Sequence, residues 1–101
     1  MRILGIDPGT HIVGYGLIHY DAGQYQSEAF GTLQVPPKTP IPETLGSIYQ
    51  DMNELLAQLQ PDIMVVEQLF FFNNVTTAIS VAQARGVIVL AGELHHIPQA
   101  E

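Results

Sequence analysis

The chain has 101 residues, enough for one domain with a modest core. At 47% hydrophobic and 13% charged residues, its composition is globular and not disordered. Its net charge of -7, with only Arg2, Lys38 and Arg85 as cations, argues against the bare chain as a strong nucleic-acid binder, because phosphate contacts need cations.

Cysteine is absent, so disulfides and thiolate metal sites are excluded, and a reducing compartment fits. No secretory pattern opens the chain, since Arg2 leads into a strand-like run and then Asp-Pro-Gly. The longest apolar stretch, Gly86 to Gly92, is too short to span a bilayer. The expectation is a cytoplasmic protein with no membrane association.

Arg2 to Ile6 is a short, continuously apolar run suited to a central strand. Asp7-Pro8-Gly9-Thr10 has the chemistry of a tight turn. His11 to Tyr20 reads as a second strand, in which Gly14 and Gly16 suggest close approach of another backbone. Asp21-Ala22-Gly23-Gln24 is a hairpin turn, and Tyr25 to Val35 is a third strand. These three strands form an antiparallel meander.

The proline-rich stretch from Pro36 to Pro42 is a connector. A helix follows, with Thr39 or Thr44 helping to start it and Pro42 in its first turn. Leu45, Ile48, Tyr49, Met52, Leu55, Leu56 and Leu59 make one apolar stripe at helical spacing, and Pro61 ends the helix. Ile63 to Val66 is a buried strand. Because a helix leads into it, it is expected to run parallel to the first strand. Leu69 to Asn74 is a loop, and Val75 to about Leu94 a second helix. Ala78, Ala82 and Gly86 fall at steps of four, allowing close packing, while Val81, Ile88 and Ala91 put apolar atoms on other faces. A helix apolar nearly all round is buried on two sides, and in so small a chain the second side suits a partner subunit. Pro98 begins a new connection, and the chain stops at Glu101, where another strand should begin.

Two apolar strands each end in an acid, Asp7 and Glu67. A carboxylate closing a buried run is costly without a partner, usually a cation. If the strands are parallel neighbours, their ends lie roughly 4.8 Å apart. Paired carboxylates at a sheet rim suit a hard divalent cation such as magnesium, and hence chemistry on phosphate esters.

Four stretches together resemble the RuvC family of Holliday-junction resolvases: Ile3-Leu4-Gly5-Ile6-Asp7-Pro8-Gly9, Gly14-Tyr15-Gly16, Val66-Glu67-Gln68-Leu69-Phe70 and Gln83-Ala84-Arg85-Gly86-Val87. Their order and intervals make the match far more specific than any one motif. It covers essentially the whole chain but only about two-thirds of a usual family member. The resemblance implies a ribonuclease H-like α/β fold with a mixed sheet, whose C-terminal strand and helices are missing here. It implies a homodimer, with the second helix in the interface, that nicks two opposing strands of a four-way junction symmetrically in recombination and repair. It also implies the branch-migration proteins RuvA and RuvB as partners.

By the same resemblance, Asp7 and Glu67 are the first two catalytic acids. They hold magnesium, for which manganese can substitute, and do not themselves attack phosphorus. Phe70 matches the aromatic that engages the junction centre, where a ring can stack on or wedge between bases. Phe71 or Phe72 is more simply a core or interface residue. Asn73, Asn74, Thr76 and Thr77 can cap the second helix, and Asn73, Asn74 and Thr76 are candidate DNA contacts there. Asn73 departs from the family pattern, which often has a basic residue nearby. Arg85 reads as a salt-bridge or cap partner before a DNA contact. His11 could face phosphate, although a solvated loop histidine is the commoner case. His95 and His96 suit the end of a helix dipole and do not suggest a zinc site.

The family's remaining acids and its lysines would fall after Glu101, which accounts for the acidic charge. The chain alone is therefore expected to be inactive as a nuclease. Three other readings compete. YqgF-type resolvase-like proteins share the opening turn but lack the Glu-Gln-Leu-Phe and Gln-Ala-Arg-Gly pair. Actin-like ATPases share Asp7-Pro8-Gly9-Thr10 but are far longer. A catalytically dead remnant would retain chiefly dimerisation.

Overall fold

A computed structural model of the chain describes residues 1–68 and 74–100. The elements run in the order β1 (Arg2–Asp7), β2 (Ile12–Asp21), β3 (Gln24–Gln34), α1 (Ile41–Leu59), β4 (Ile63–Val66), α2 (Val75–Leu94) and β5 (Gln99–Ala100). The strands form one mixed sheet in the order β3-β2-β1-β4-β5. The meander is antiparallel, and β4 joins β1 in parallel, as the apolar runs and the crossover helix predict.

One sheet face carries the core. Leu4, Ile6, Val13, Leu17, Met64 and Val66 point to the helices and pack with Ile48, Met52, Leu55 and Leu56 of α1 and with Ala84, Ile88 and Ala91 of α2. The α1 stripe is the expected one, with Leu45, Tyr49 and Leu59 at its margins. No described helix covers the other face. Phe30, Gly16, Gly5, Val65 and Ala100 lie in one registered row across all five strands. Phe30 is 83% exposed.

Several local expectations need correction. A fifth strand, expected to be missing, is present as Gln99–Ala100, paired in parallel with β4. The hairpin turn Asp21–Gln24 is as expected, and only its flanking strands run one residue further than expected on each side. Ala22 (φ 52°) and Gly23 (φ 78°) are both left-handed, which matches the twist of the flanking strands and lets pairing run through Asp21 and Gln24. No side chain caps α1. Pro40 takes the cap position, while Thr44 sits inside the first turn, fully buried, with its hydroxyl donating to the Thr39 carbonyl at 3.2 Å. Nor does a backbone press on Gly14 or Gly16. A Cβ at Gly16 would meet nothing within 4 Å, so these glycines strip side chains from the face opposite the helices.

Arg2 ties the start of the sheet to α1. Its guanidinium donates to the Leu59 and Gln60 carbonyls, which the helix end leaves unpaired, and its amide donates to the Asp62 carboxylate at 2.7 Å. A bulge in β3 leaves Glu28 between the paired Ser27 and Ala29, where it accepts from Arg2 at 3.2 Å and meets His19 at 3.0 Å.

The helix α2 begins and ends where its pattern predicts. The Asn74 side chain accepts from the Thr76 and Thr77 amides at 2.9 and 3.3 Å, so Asn74 is the cap. At the far end the His95 ring bonds the Asn53 carboxamide of α1 at 3.0 Å, a link between helices beyond the dipole role expected of it. With 20 residues and a mean hydropathy of 1.4, α2 is long and apolar enough to cross a membrane by length and composition alone. The short run Gly86 to Gly92 understated this. In the fold, Val81, Ala84, Ile88 and Ala91 are buried against the protein, while Val75, Ile79, Ala82, Gly86, Leu90 and Leu94 are exposed.

Candidate metal-binding active site

Parallel pairing of β1 with β4 brings the two acids together. The last paired residues are Ile6 and Val66, and the Glu67 amide then donates to the Ile6 carbonyl at 3.0 Å. Side chains alternate along a strand. Because Ile6 and Val66 are buried under the helices, Asp7 and Glu67 emerge on the opposite face, and both are exposed at its rim. Neighbouring strands run about 4.8 Å apart, so the carboxylates are adjacent.

The surroundings keep this rim open. Asp7 is paired across the ladder with Gly14, which has no side chain to crowd it. A cavity of about 560 Å³ opens there, lined by Gly5, Asp7, Gly14, Gly16, Glu67 and Gln68 among others. The turn after Asp7 depends on Gly9, where an added Cβ would collide with the Ile12 carbonyl. The Thr10 hydroxyl then donates to Ser80 of α2 at 3.1 Å, fastening the turn to a helix 70 residues away. On the other strand, the Arg85 Nε donates to the Glu67 carbonyl at 3.3 Å. The structural role expected for Arg85 thus includes holding the end of β4.

Two adjacent carboxylates are hard oxygen donors and fit magnesium or manganese. Among the described residues no group of three or more His, Cys, Asp or Glu gathers around a point. The pair therefore supplies part of a coordination shell, leaving positions for water and phosphate oxygens.

Of the other candidates, Phe70 and Asn73 lie outside the described residues, as do Phe71 and Phe72. Asn74 and Thr76 stand at the start of α2, and the Asn74 carboxamide oxygen is engaged as the cap. His11 is not simply a solvated loop residue, because its Nδ1 is sealed from solvent and has no partner among the described residues. Lys38 and Ser80 also stand near the turn. Nothing in the linear pattern joins either to the Asp7 turn; only the fold brings them beside Thr10 and His11.

The family profile described as Crossover junction endodeoxyribonuclease RuvC matches residues 3–101. The chain belongs to the RuvC family. It is 48% identical over all 101 residues to the Crossover junction endodeoxyribonuclease RuvC of Brevibacillus brevis and covers 61% of that protein. It is likewise 48% identical to the protein of that description from Carboxydothermus hydrogenoformans, covering 63% of it. The chain thus spans about three-fifths of the length of these RuvC relatives. A structure of T. thermophilus RuvC in complex with Holliday junction substrate superposes with a TM-score of 0.86 at 25% identity, over 98% of this chain and 62% of that one. The yeast mitochondrial Holliday junction resolvase Ydc2 matches with a TM-score of 0.69 at 14% identity, over 96% of this chain and 50% of that one, which is a likeness of fold alone. The ribonuclease H-like architecture implied by the motifs is the one observed.

Proposed function

We propose that this chain carries the first two metal-binding acids of a structure-selective endonuclease, one that resolves Holliday junctions by paired symmetric nicks in recombination and repair. The observation that supports this most directly is Asp7 beside Glu67 on adjacent parallel strand ends, within a RuvC-family chain. Magnesium, or manganese in its place, would be held by Asp7 and Glu67 and would supply Lewis acidity toward a phosphodiester and a lowered pKa for bound water. The chain's own residues set the frame for that ion. The β1–β4 ladder spaces the carboxylates, Gly14 leaves room beside Asp7, and Arg85 anchors the Glu67 backbone. The family's further acids and lysines are implied for a C-terminal segment, so the 101 residues alone are not expected to cut DNA.

The same reading makes the protein a homodimer. The exposed stripe Val75, Ile79, Ala82, Gly86, Leu90 and Leu94 recurs every three or four residues along α2. Ala82 and Gly86 at its centre would let two such helices approach closely about a two-fold axis. The RuvA and RuvB partners, a cytoplasmic location and a DNA role for Phe70, Asn73, Asn74 and Thr76 belong to this proposal through the family alone.

The test is a chimera of this chain with the remaining two-fifths of the Brevibacillus brevis relative. It is expected to cut a synthetic four-way junction in magnesium at symmetric positions, and Asp7→Asn or Glu67→Gln is expected to abolish cutting. A chimera that binds the junction yet never cuts, with metal binding unchanged by Asp7→Asn, would favour the dimerisation remnant.

A further inference from the structure

We propose that the cavity between the Thr10–His11 turn, Lys38 and the start of α2 binds a backbone phosphate of the DNA beside the metal site. This rests on the nuclease reading above and adds a contact to it. The cavity holds about 410 Å³ and is lined by Thr10, His11, Lys38, Thr76, Ser80 and Gln83 among others. None of its described lining residues is a carboxylate, although the chain carries 10 acids and a net charge of -7. One of only three Lys and Arg residues stands at it.

The donors can be sorted by what they already do. The Thr76 and Thr77 amides are taken by Asn74, so the helix N-terminus is not itself the anion site. The Thr10 hydroxyl donates to Ser80, and Ser80 donates to the Thr77 carbonyl at 3.1 Å, so this relay builds a wall and has no proton left over. The Thr39 hydroxyl is likewise spent on the Pro36 carbonyl at 2.7 Å, in the turn that presents Lys38. The Lys38 ammonium, the Thr76 hydroxyl and the Gln83 carboxamide have no hydrogen bond or ion pair among the described residues. His11 adds one more donor. A proton on its sealed Nδ1 would be unpaired, so the neutral ring carries its proton on Nε2. A cation with three neutral donors and no competing acid matches a phosphate diester.

The location suits the same ligand. Thr10 is three residues past Asp7, so the two Cα atoms are at most about 11 Å apart. That upper bound spans no more than about three phosphates along one strand at 3.4 Å of axis each. DNA held at the Asp7–Glu67 rim would thus bring a neighbouring phosphate to this cavity.

The experiment has two arms in the absence of divalent metal, junction binding on the chimera described above and phosphate titration on this chain. Binding of a fluorescent synthetic four-way junction is followed by anisotropy over a salt series, and inorganic phosphate is titrated while the NMR signals of His11 and Thr76 are recorded. Lys38→Gln is expected to weaken junction binding about tenfold and to lower the salt slope by about one, with Lys38→Arg restoring both. Gln83→Leu, which removes a donor but no charge, is expected to weaken binding about threefold at unchanged slope. Phosphate is expected to move the His11 and Thr76 signals in the parent chain and not in Lys38→Gln. Unchanged binding in Lys38→Gln and Gln83→Leu would overturn the site while leaving the nuclease reading intact. A slope change in Lys38→Gln alone, with a silent phosphate titration, would mean diffuse charge and would also overturn it. Phosphate shifts that require Lys38, with a chimera that binds no junction, would uphold the anion site and count against the nuclease reading. Silence in both arms would remove the site.

Discussion

The Glu67 amide donates to the Ile6 carbonyl at 3.0 Å, carrying the β1–β4 ladder one step beyond its last paired residues. The bond fixes the Glu67 backbone against the residue that precedes Asp7. Both carboxylates therefore leave one rim on one face, with spacing set by strand geometry and not by side-chain choice.

Neutralising either acid should separate function from stability. In the chimera described above, Asp7→Asn and Glu67→Gln should each lower magnesium-dependent cleavage at least about a thousandfold, and chelation of the metal should do the same. Thermal unfolding without metal should show Tm unchanged or raised, because removing one of two adjacent like charges relieves repulsion. A fall in Tm matching the loss of cleavage would assign the acids a structural role instead.

Gly9 is required by close approach. Its Cβ position is filled by the Ile12 carbonyl, a backbone atom that cannot rotate away. Gly9→Ala should cost about 1–3 kcal/mol in urea unfolding, whereas Gly16→Ala, whose Cβ would meet open space, should cost far less. Equal costs would refute this account of the turn.

Asn74 accepts two amides at the start of α2. Asn74→Ala should destabilise the chain by about 1 kcal/mol, and Asn74→Asp should retain most of the cap. Chemical denaturation of the three proteins gives the comparison.

The exposed α2 stripe gives a test of assembly. Leu90 is 50% exposed, so Leu90→Glu should leave the monomer's stability within about 0.5 kcal/mol. Sedimentation at several concentrations should then show a dimer for the parent chain and a monomer for the variant. A parent chain that stays monomeric throughout would remove the interface proposed for α2.

Much of this was legible in the residues. The continuous apolar runs Arg2–Ile6 and Ile63–Val66 mark central strands, and the helix between them demands a parallel crossover, so Asp7 and Glu67 could be paired before any coordinates. Helix α2 could be bounded because Asn74 and its following apolar pattern are local signals. The start of α1 was misread because Thr39 and Thr44 have the chemistry of caps, and only packing shows that Thr44 is buried within the first turn. A strand was expected to begin after Pro98, but Gln99–Ala100 is too short to show alternation, and pairing with Met64 and Val65 is what defines it.

By itself the sequence determined the family, the two acids and the order of the elements, because these depend on side-chain chemistry and on spacing along the chain. The tertiary structure decided which residues far apart in sequence became neighbours. It joined Thr10 to Ser80 and Arg85 to the Glu67 carbonyl, set Lys38 beside His11, and placed both described helices on one sheet face. The physical reason is that such contacts arise when apolar faces are buried against one another. Burial is non-directional, so the positions that result carry no local signature in the sequence.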